Sequence, residues 1–137
     1  MPKRVLVVDD HAPTRLLIRS ILEAEKDAPC VVVEAASGFE CVRARDAQGP
    51  FDLILLDVNL PDIDGYDLCR RLRSVDPDVR IVFVTGKSDL RDHEAGRQAG
   101  GDSYLVKPVA RAALRSAVSL FTSMRRRGGA DPVPASA

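Results

Sequence analysis

The sequence carries no excess of charge: Lys+Arg and Asp+Glu both number 20, and the formal net charge is zero. A global electrostatic grip on nucleic acid or on a membrane surface is therefore not expected. No apolar run approaches the roughly 18 residues that a membrane span needs. The start, MPKRVLVVDD, does not read as a signal peptide, because its apolar run ends within four residues at two acids. Three cysteines, Cys30, Cys41 and Cys69, and two histidines form no metal-ligand spacing, which argues against a zinc site. Cys41 and Cys69 fall within helical patterns and read as reduced packing residues, so a cytoplasmic protein is expected. There is no internal repeat. No G-x-x-x-x-G-K-[ST] loop is present to hold a nucleotide in P-loop fashion. At 137 residues, one domain with a sizeable core is expected.

What is present is an alternation of short apolar runs with amphipathic stretches. Val5–Val8 reads as a strand buried on both faces. Pro13 suits the first turn of the helix that follows, with Leu17, Ile18 and Ile21 as its core stripe and Leu16 on the other side. Val31–Val33 is a second strand. Ser37 and Glu40 form a capping box that opens a helix through Cys41 and Val42, and Gln48-Gly49-Pro50 stops it. Leu53–Leu56 is a third strand. Gly65 opens a helix carrying Tyr66, Cys69 and Leu72, which ends at Asp76-Pro77. Ile81–Val84 is a fourth strand, followed by a weakly anchored helix over 89–99 that contains Gly96. Ser103–Val106 is a fifth strand. A last helix over 110–124 has Leu114, Val118 and Phe121 on one face. The segment RRRGGADPVPASA, 125–137, reads as a disordered tail or the stump of a linker.

Five strands alternating with five helices predict an α/β fold, a parallel sheet covered on both faces. In such sheets the functional crevice lies beyond the carboxyl ends of the strands. Asp9, Asp10, Asp57, Thr85 and Lys107 all stand just where apolar runs end. The fold therefore gathers them at one rim.

Clustered carboxylates repel. Two charges 4 Å apart cost roughly 4 kcal/mol at an effective dielectric near 20. Lys107 supplies one positive charge, and a divalent cation would supply more. Oxygen ligands without Cys or His select a hard ion such as Mg²⁺. Asp10 alone could simply cap a helix. A metal, a lysine and a hydroxyl converging on one carboxylate form a phosphoryl-transfer arrangement, in which the carboxylate can be the nucleophile.

The ordered set VDD (8–10), LLDVNLPDIDG (55–65), VTG (84–86) and YLVKP (104–108) resembles the receiver domain of two-component response regulators, over residues 3 to about 124. The resemblance implies a doubly wound, flavodoxin-like sheet of order 2-1-3-4-5. It implies a receiver domain over 1–124 that is no conventional enzyme but assists its own phosphorylation and dephosphorylation. In it Asp57 is the residue phosphorylated by a partner phosphohistidine. Asp10, Asp57 and the backbone carbonyl of Asn59 hold Mg²⁺ or Mn²⁺, and Asp9 acts through metal-bound water. Lys107 pairs with the phosphoryl oxygens. Thr85 moves onto the phosphoryl group, and Tyr104 is the switch aromatic that follows it. The Lys107-Pro108 bond is expected to be cis. Asn59 and Lys87 flank the path of the hydrolytic water, and the first helix, with Leu16, receives the phosphodonor. Gly101 stands where the family often has Ala.

The function expected is a phosphorylation-dependent signalling switch. Its donors are a histidine kinase or a histidine phosphotransfer protein. Its output is contact with a downstream protein through the fourth helix, fifth strand and last helix, with no direct nucleic-acid or membrane binding. An alternative is the receiver fragment of a longer regulator with an effector domain beyond it. A third, from the enzyme class, is a Mg²⁺-dependent aspartyl-phosphate phosphatase, but no connection here is long enough for its cap.

Overall fold

The computed structural model describes residues 2–86 and 90–123. The strands are β1 (Lys3–Val8), β2 (Cys30–Ala35), β3 (Leu53–Leu56), β4 (Arg80–Thr85) and β5 (Ser103–Val106). The helices are α1 (Ala12–Glu23), α2 (Gly38–Gln48), α3 (Gly65–Val75), α4 (Leu90–Gln98) and α5 (Arg111–Ser123). The strands form one sheet of order β2-β1-β3-β4-β5, every pair parallel. Arg125–Arg127 and the rest of the expected tail lie outside the described residues, as does Lys87.

The continuous apolar runs are explained by two cores. Alternate residues of a strand point to opposite faces. On one face Leu6, Val8, Ile54, Leu56, Ile81 and Phe83 pack with Cys41 of α2 and with Leu68, Cys69 and Leu72 of α3. On the other, Val5, Val7, Leu53, Leu55, Val82 and Val84 pack with Ile18, Ile21 and Leu22 of α1 and with Leu114 and Val118 of α5. Burial raises the Cys41 thiol pKa to about 12, so this cysteine is an inert packing residue.

The local signals act as expected. Glu40 N–H donates to Ser37 Oγ, and the Glu40 carboxylate reaches back to Ala36 N–H. Asp64 caps α3 by accepting from Tyr66 N–H at 2.7 Å. One expectation needs correction. Leu17 does not belong to the core stripe of α1; it is 44% exposed, and the buried set is Ile18, Ile21 and Leu22. The i, i+3, i+4 spacing of those three sets the phase of the helix, and Leu17 falls at its margin.

Candidate functional site

At the carboxyl edge of the sheet, strand ends dictate what meets. β1 and β3 pair directly, with Val8 beside Leu56. The next residues, Asp9 and Asp57, are therefore neighbours, and Asp57 N–H donates to Val8 O at 2.9 Å. Asp9, Asp10 and Asp57 each offer a carboxylate oxygen, all within 4.8 Å of one another. Asp9 and Asp57 are buried and Asp10 is exposed. Lys107, just after β5, places Nζ 2.7 Å from Asp9 Oδ2 and 3.3 Å from Asp57 Oδ2. One ammonium thus pairs with two of the three carboxylates.

The electrostatics follow from burial and charge. Burial and the charge of Asp9 hold the Asp57 carboxyl above the ordinary 3.8, while Lys107 and the Asn59 N–H pull it the other way. For Lys107, burial disfavours the ammonium, but Asp9 and Asp57 outweigh it and raise the pKa, so the lysine stays charged. The contact with Asp9 has the distance of an ion pair but not the angles of a hydrogen bond, and the buried Asp9 Oδ2 is left without a hydrogen-bond partner. A buried carboxylate oxygen in that state has capacity to spare for a cation. The donor set is oxygen throughout and fits a hard divalent ion such as Mg²⁺.

The loop after β3 is held at both ends. Asn59 N–H donates to Asp57 Oδ1 at 3.3 Å, and Asn59 bridges to Asp64. Gly65 packs on the backbone of Asp57: an added Cβ would lie 2.3 Å from the Asp57 carbonyl oxygen and 2.6 Å from Val58 Cα, which explains the Asp-Gly that closes the motif. Thr85, fully buried, ends β4, and its carbonyl accepts from Lys107 N–H at 2.8 Å. The Lys107–Pro108 bond is cis. Tyr104 is half-buried, with its ring 6.0 Å from Phe83 and 4.1 Å from His93. Burial, then its contact with Tyr66, raises the Tyr104 pKa. His11 stands at the N-cap of α1, with Nδ1 2.7 Å from Thr14 Oγ1, in keeping with a helix-start residue. Lys87 lies outside the described residues.

Two contacts on this rim were not singled out from the sequence. Asp62 accepts from the N–H groups of Gly38 and Phe39, both at 2.9 Å, and so ties the loop after β3 to the start of α2. Those hydrogen bonds hold its carboxyl below the ordinary range. Arg15 of α1 donates to the carbonyl of Asp9. Neither has a local spacing signature, because each partner is supplied by another element.

Comparisons with known proteins bear on the family and the fold. The family model described as the response regulator receiver domain matches residues 5–119. The chain is 37% identical over 125 residues to the transcriptional regulatory protein PrrA of Mycobacterium tuberculosis, covering 91% of this chain and 51% of that one. It is 39% identical over 105 residues to the transcriptional regulatory protein ResD of Bacillus subtilis, covering 77% of this chain and 42% of that one. The chain thus spans about half the length of the curated relatives it matches. Among solved structures, the CheY-like receiver domain protein of Methanospirillum hungatei superposes with a TM-score of 0.78 at 29% identity, over 90% of this chain and 95% of that one. With the parallel 2-1-3-4-5 sheet and its acidic rim, the match shows that the chain belongs to the response regulator receiver domain family of two-component signal transduction.

Proposed function

We propose that this domain is a phosphorylation-dependent switch with Asp57 as its phosphoacceptor. One observation carries the reading: Asp57 is buried at a strand end, in contact with Lys107, within a cluster of three carboxylates. A carboxylate oxygen of Asp57 attacks the phosphorus of a partner phosphohistidine. The N–P bond breaks, an acyl phosphate forms, and the histidine nitrogen takes up a proton. Asp10, Asp57 and the Asn59 carbonyl would hold Mg²⁺ directly, with Asp9 reaching it through water. The ion supplies charge neutralisation at the phosphoryl oxygens. Lys107 pairs with those oxygens from the other side.

The raised pKa of Asp57 bears on this role. Burial and Asp9 disfavour the ionised carboxylate, and phosphorylation replaces its single charge with a more highly charged phosphoryl group, so Lys107 and a cation are needed to neutralise the product. Thr85 then moves toward the phosphoryl group and Tyr104 turns with it. The face of α4, β5 and α5 changes as a population shift and meets a downstream protein. The donor is a histidine kinase or a histidine phosphotransfer protein. We place the protein in the cytoplasm, where such donors present their phosphohistidine; no helix among the described residues is long and apolar enough to cross a membrane.

The length of the relatives favours a second reading of the context, in which residues 1–124 are the receiver part of a longer regulator and 125–137 begin the linker. Both readings need Asp57 phosphorylated. Incubation with acetyl phosphate and Mg²⁺ should add one phosphoryl group to the intact mass, and Asp57→Asn should take none. A phosphorylated Asp57→Asn protein would sink the assignment.

A further inference from the structure

The carbonyl that Arg15 holds belongs to the peptide joining Asp9 to Asp10. Arg15 Nη1 lies 2.6 Å from that oxygen, closer than any other hydrogen-bond partner of Asp9. Arg15 is itself fixed. Its Nε donates to Glu34 Oε1 at 2.9 Å, and Arg19 holds Glu34 Oε2 at 2.7 Å. Arg19 reaches on to Glu23 and to the Val32 carbonyl. The Arg15 side chain is only 17% exposed.

We propose that Arg15 is a positioning residue for the acidic site: by pinning the Asp9–Asp10 peptide plane it sets how tightly the site takes a divalent cation and how readily Asp57 is then phosphorylated. The inference rests on the reading of Asp9 and Asp10 as cation-facing groups. Asp9, Asp10 and Asp57 repel one another across less than 4.8 Å, and a tilt of this peptide would relieve that repulsion by separating Asp9 from Asp10. The hydrogen bond from Arg15 opposes that tilt. Its charge does little directly, because Glu34 neutralises it, so the effect is geometric. Small misplacements at such sites are costly, and partners that orient ligands change metal affinity roughly tenfold or more. The task suits arginine, whose planar fork serves Asp9 and Glu34 from different nitrogens at once.

The test separates positioning from mere stability by using Arg19, which shares Glu34 and does not touch Asp9. Mg²⁺ binding to the full chain is measured by calorimetry well below the melting temperature. Phosphorylation by acetyl phosphate is followed by intact mass at limiting and saturating Mg²⁺. Arg15→Met should raise the Mg²⁺ dissociation constant by roughly tenfold. It should slow phosphorylation at limiting Mg²⁺ and largely recover at saturation. Arg15→Lys should recover only part of the affinity, since one ammonium cannot serve both acceptors. Arg19→Met, melting about as low as Arg15→Met, should keep the wild-type affinity. Equal affinities in the Arg15→Met and Arg19→Met proteins, shifted or not, would overturn the proposal while leaving the site reading intact. A wild-type chain that takes no Mg²⁺ would instead bring down the site reading, and the inference with it.

Discussion

The hydroxyls of Tyr66 and Tyr104 lie 3.4 Å apart, and the Tyr66 hydroxyl also lies 3.1 Å from the carbonyl oxygen of Asp92. A carbonyl only accepts, and a phenol has one proton. Tyr66 therefore donates to Asp92, and Tyr104 donates to Tyr66. The second contact is long for O–H···O and correspondingly weak. Together they run from α3 through Tyr104 to the first turn of α4. Tyr66 also stacks edge-on against Phe83, with ring centroids 5.2 Å apart.

Helix α4 also sets the His93 ring 4.1 Å from that of Tyr104, and otherwise turns small residues to the sheet. Ala99 and Gly96 are its buried neighbours of the sheet, and Ala95 is half-buried. Tyr66→Phe keeps the ring contact and removes the tie to the Asp92 carbonyl. The expected cost is about 1 kcal/mol. It should appear mainly as local opening, with amide exchange across Leu90–Gln98 several-fold faster. Exchange equal to wild type would show that the hydroxyl does not anchor α4. The same variant leaves Tyr104 as the sole tyrosine in a chain without tryptophan. Its emission should then change on phosphorylation of Asp57 if Tyr104 turns with Thr85 as proposed, and unchanged emission would count against that role.

Asp57→Asn should also change stability, with a sign fixed by the charge cluster. The folded pKa of Asp57 is raised above the ordinary 3.8, first by burial and then by Asp9. Its ionised form therefore costs stability, and the cost sets in as pH rises from 3.8 through the folded pKa. At pH 7 with Mg²⁺ chelated, Asp57→Asn should melt higher than wild type. The gap should close below pH 4. Millimolar Mg²⁺ should close it as well, through the binding to the wild-type site proposed above. A lower melting temperature for the variant in chelator would contradict the repulsive cluster.

These groups were legible because buried parallel strands are apolar up to their last turn. A run such as Leu53–Leu56 that stops at a carboxylate marks both the strand end and the rim. Arg15 and Glu34 were not legible: they stand 19 residues apart on a helix and a strand, and neither has an apolar pattern to betray it. Leu17 was misplaced because Leu16, Leu17, Ile18 and Ile21 permit two stripe phases, and only the burial of Leu22 selects one. The Gly101 departure has a packing cause. A Cβ there would come within 2.5 Å of the Phe83 ring, so the large ring on β4 and the missing side chain match one another.

The exposed leucines of α1 predict how a phosphodonor docks. Leu16 is 62% exposed and Leu17 44% exposed. Leu17 joins Pro13, Pro108 and Val109 in an apolar groove of about 430 Å³. Leu16→Ser and Leu17→Ser should leave the fold stable, since neither residue is in the core. Each should slow phosphotransfer from a phosphorylated histidine kinase or phosphotransfer protein, by roughly tenfold for a contact of about 1.4 kcal/mol. Phosphorylation by acetyl phosphate, which needs no docking, should be unchanged. Equal slowing with both donors would reject the docking role.

Glu34 predicts a pH-dependent term in stability. Burial acts to raise its carboxyl pKa, but hydrogen bonds from Arg15 and Arg19, with their charges, outweigh it and hold the group below the ordinary 4.5. A carboxyl with a depressed folded pKa contributes stability that is fully present above its unfolded pKa. That stability is lost as pH falls through the folded value. Glu34→Gln keeps the size and removes the charge. At pH 7 it should cost about 1–2 kcal/mol, given charged hydrogen bonds at a site with a 30% exposed side chain. The melting-temperature gap between wild type and variant should shrink steadily below pH 4.5 and vanish once Glu34 is protonated in both states. High salt should narrow it only in part, because Arg15 is largely shielded from solvent. A gap that stays constant from pH 7 to pH 3 would mean that Glu34 acts through packing and not through its charge.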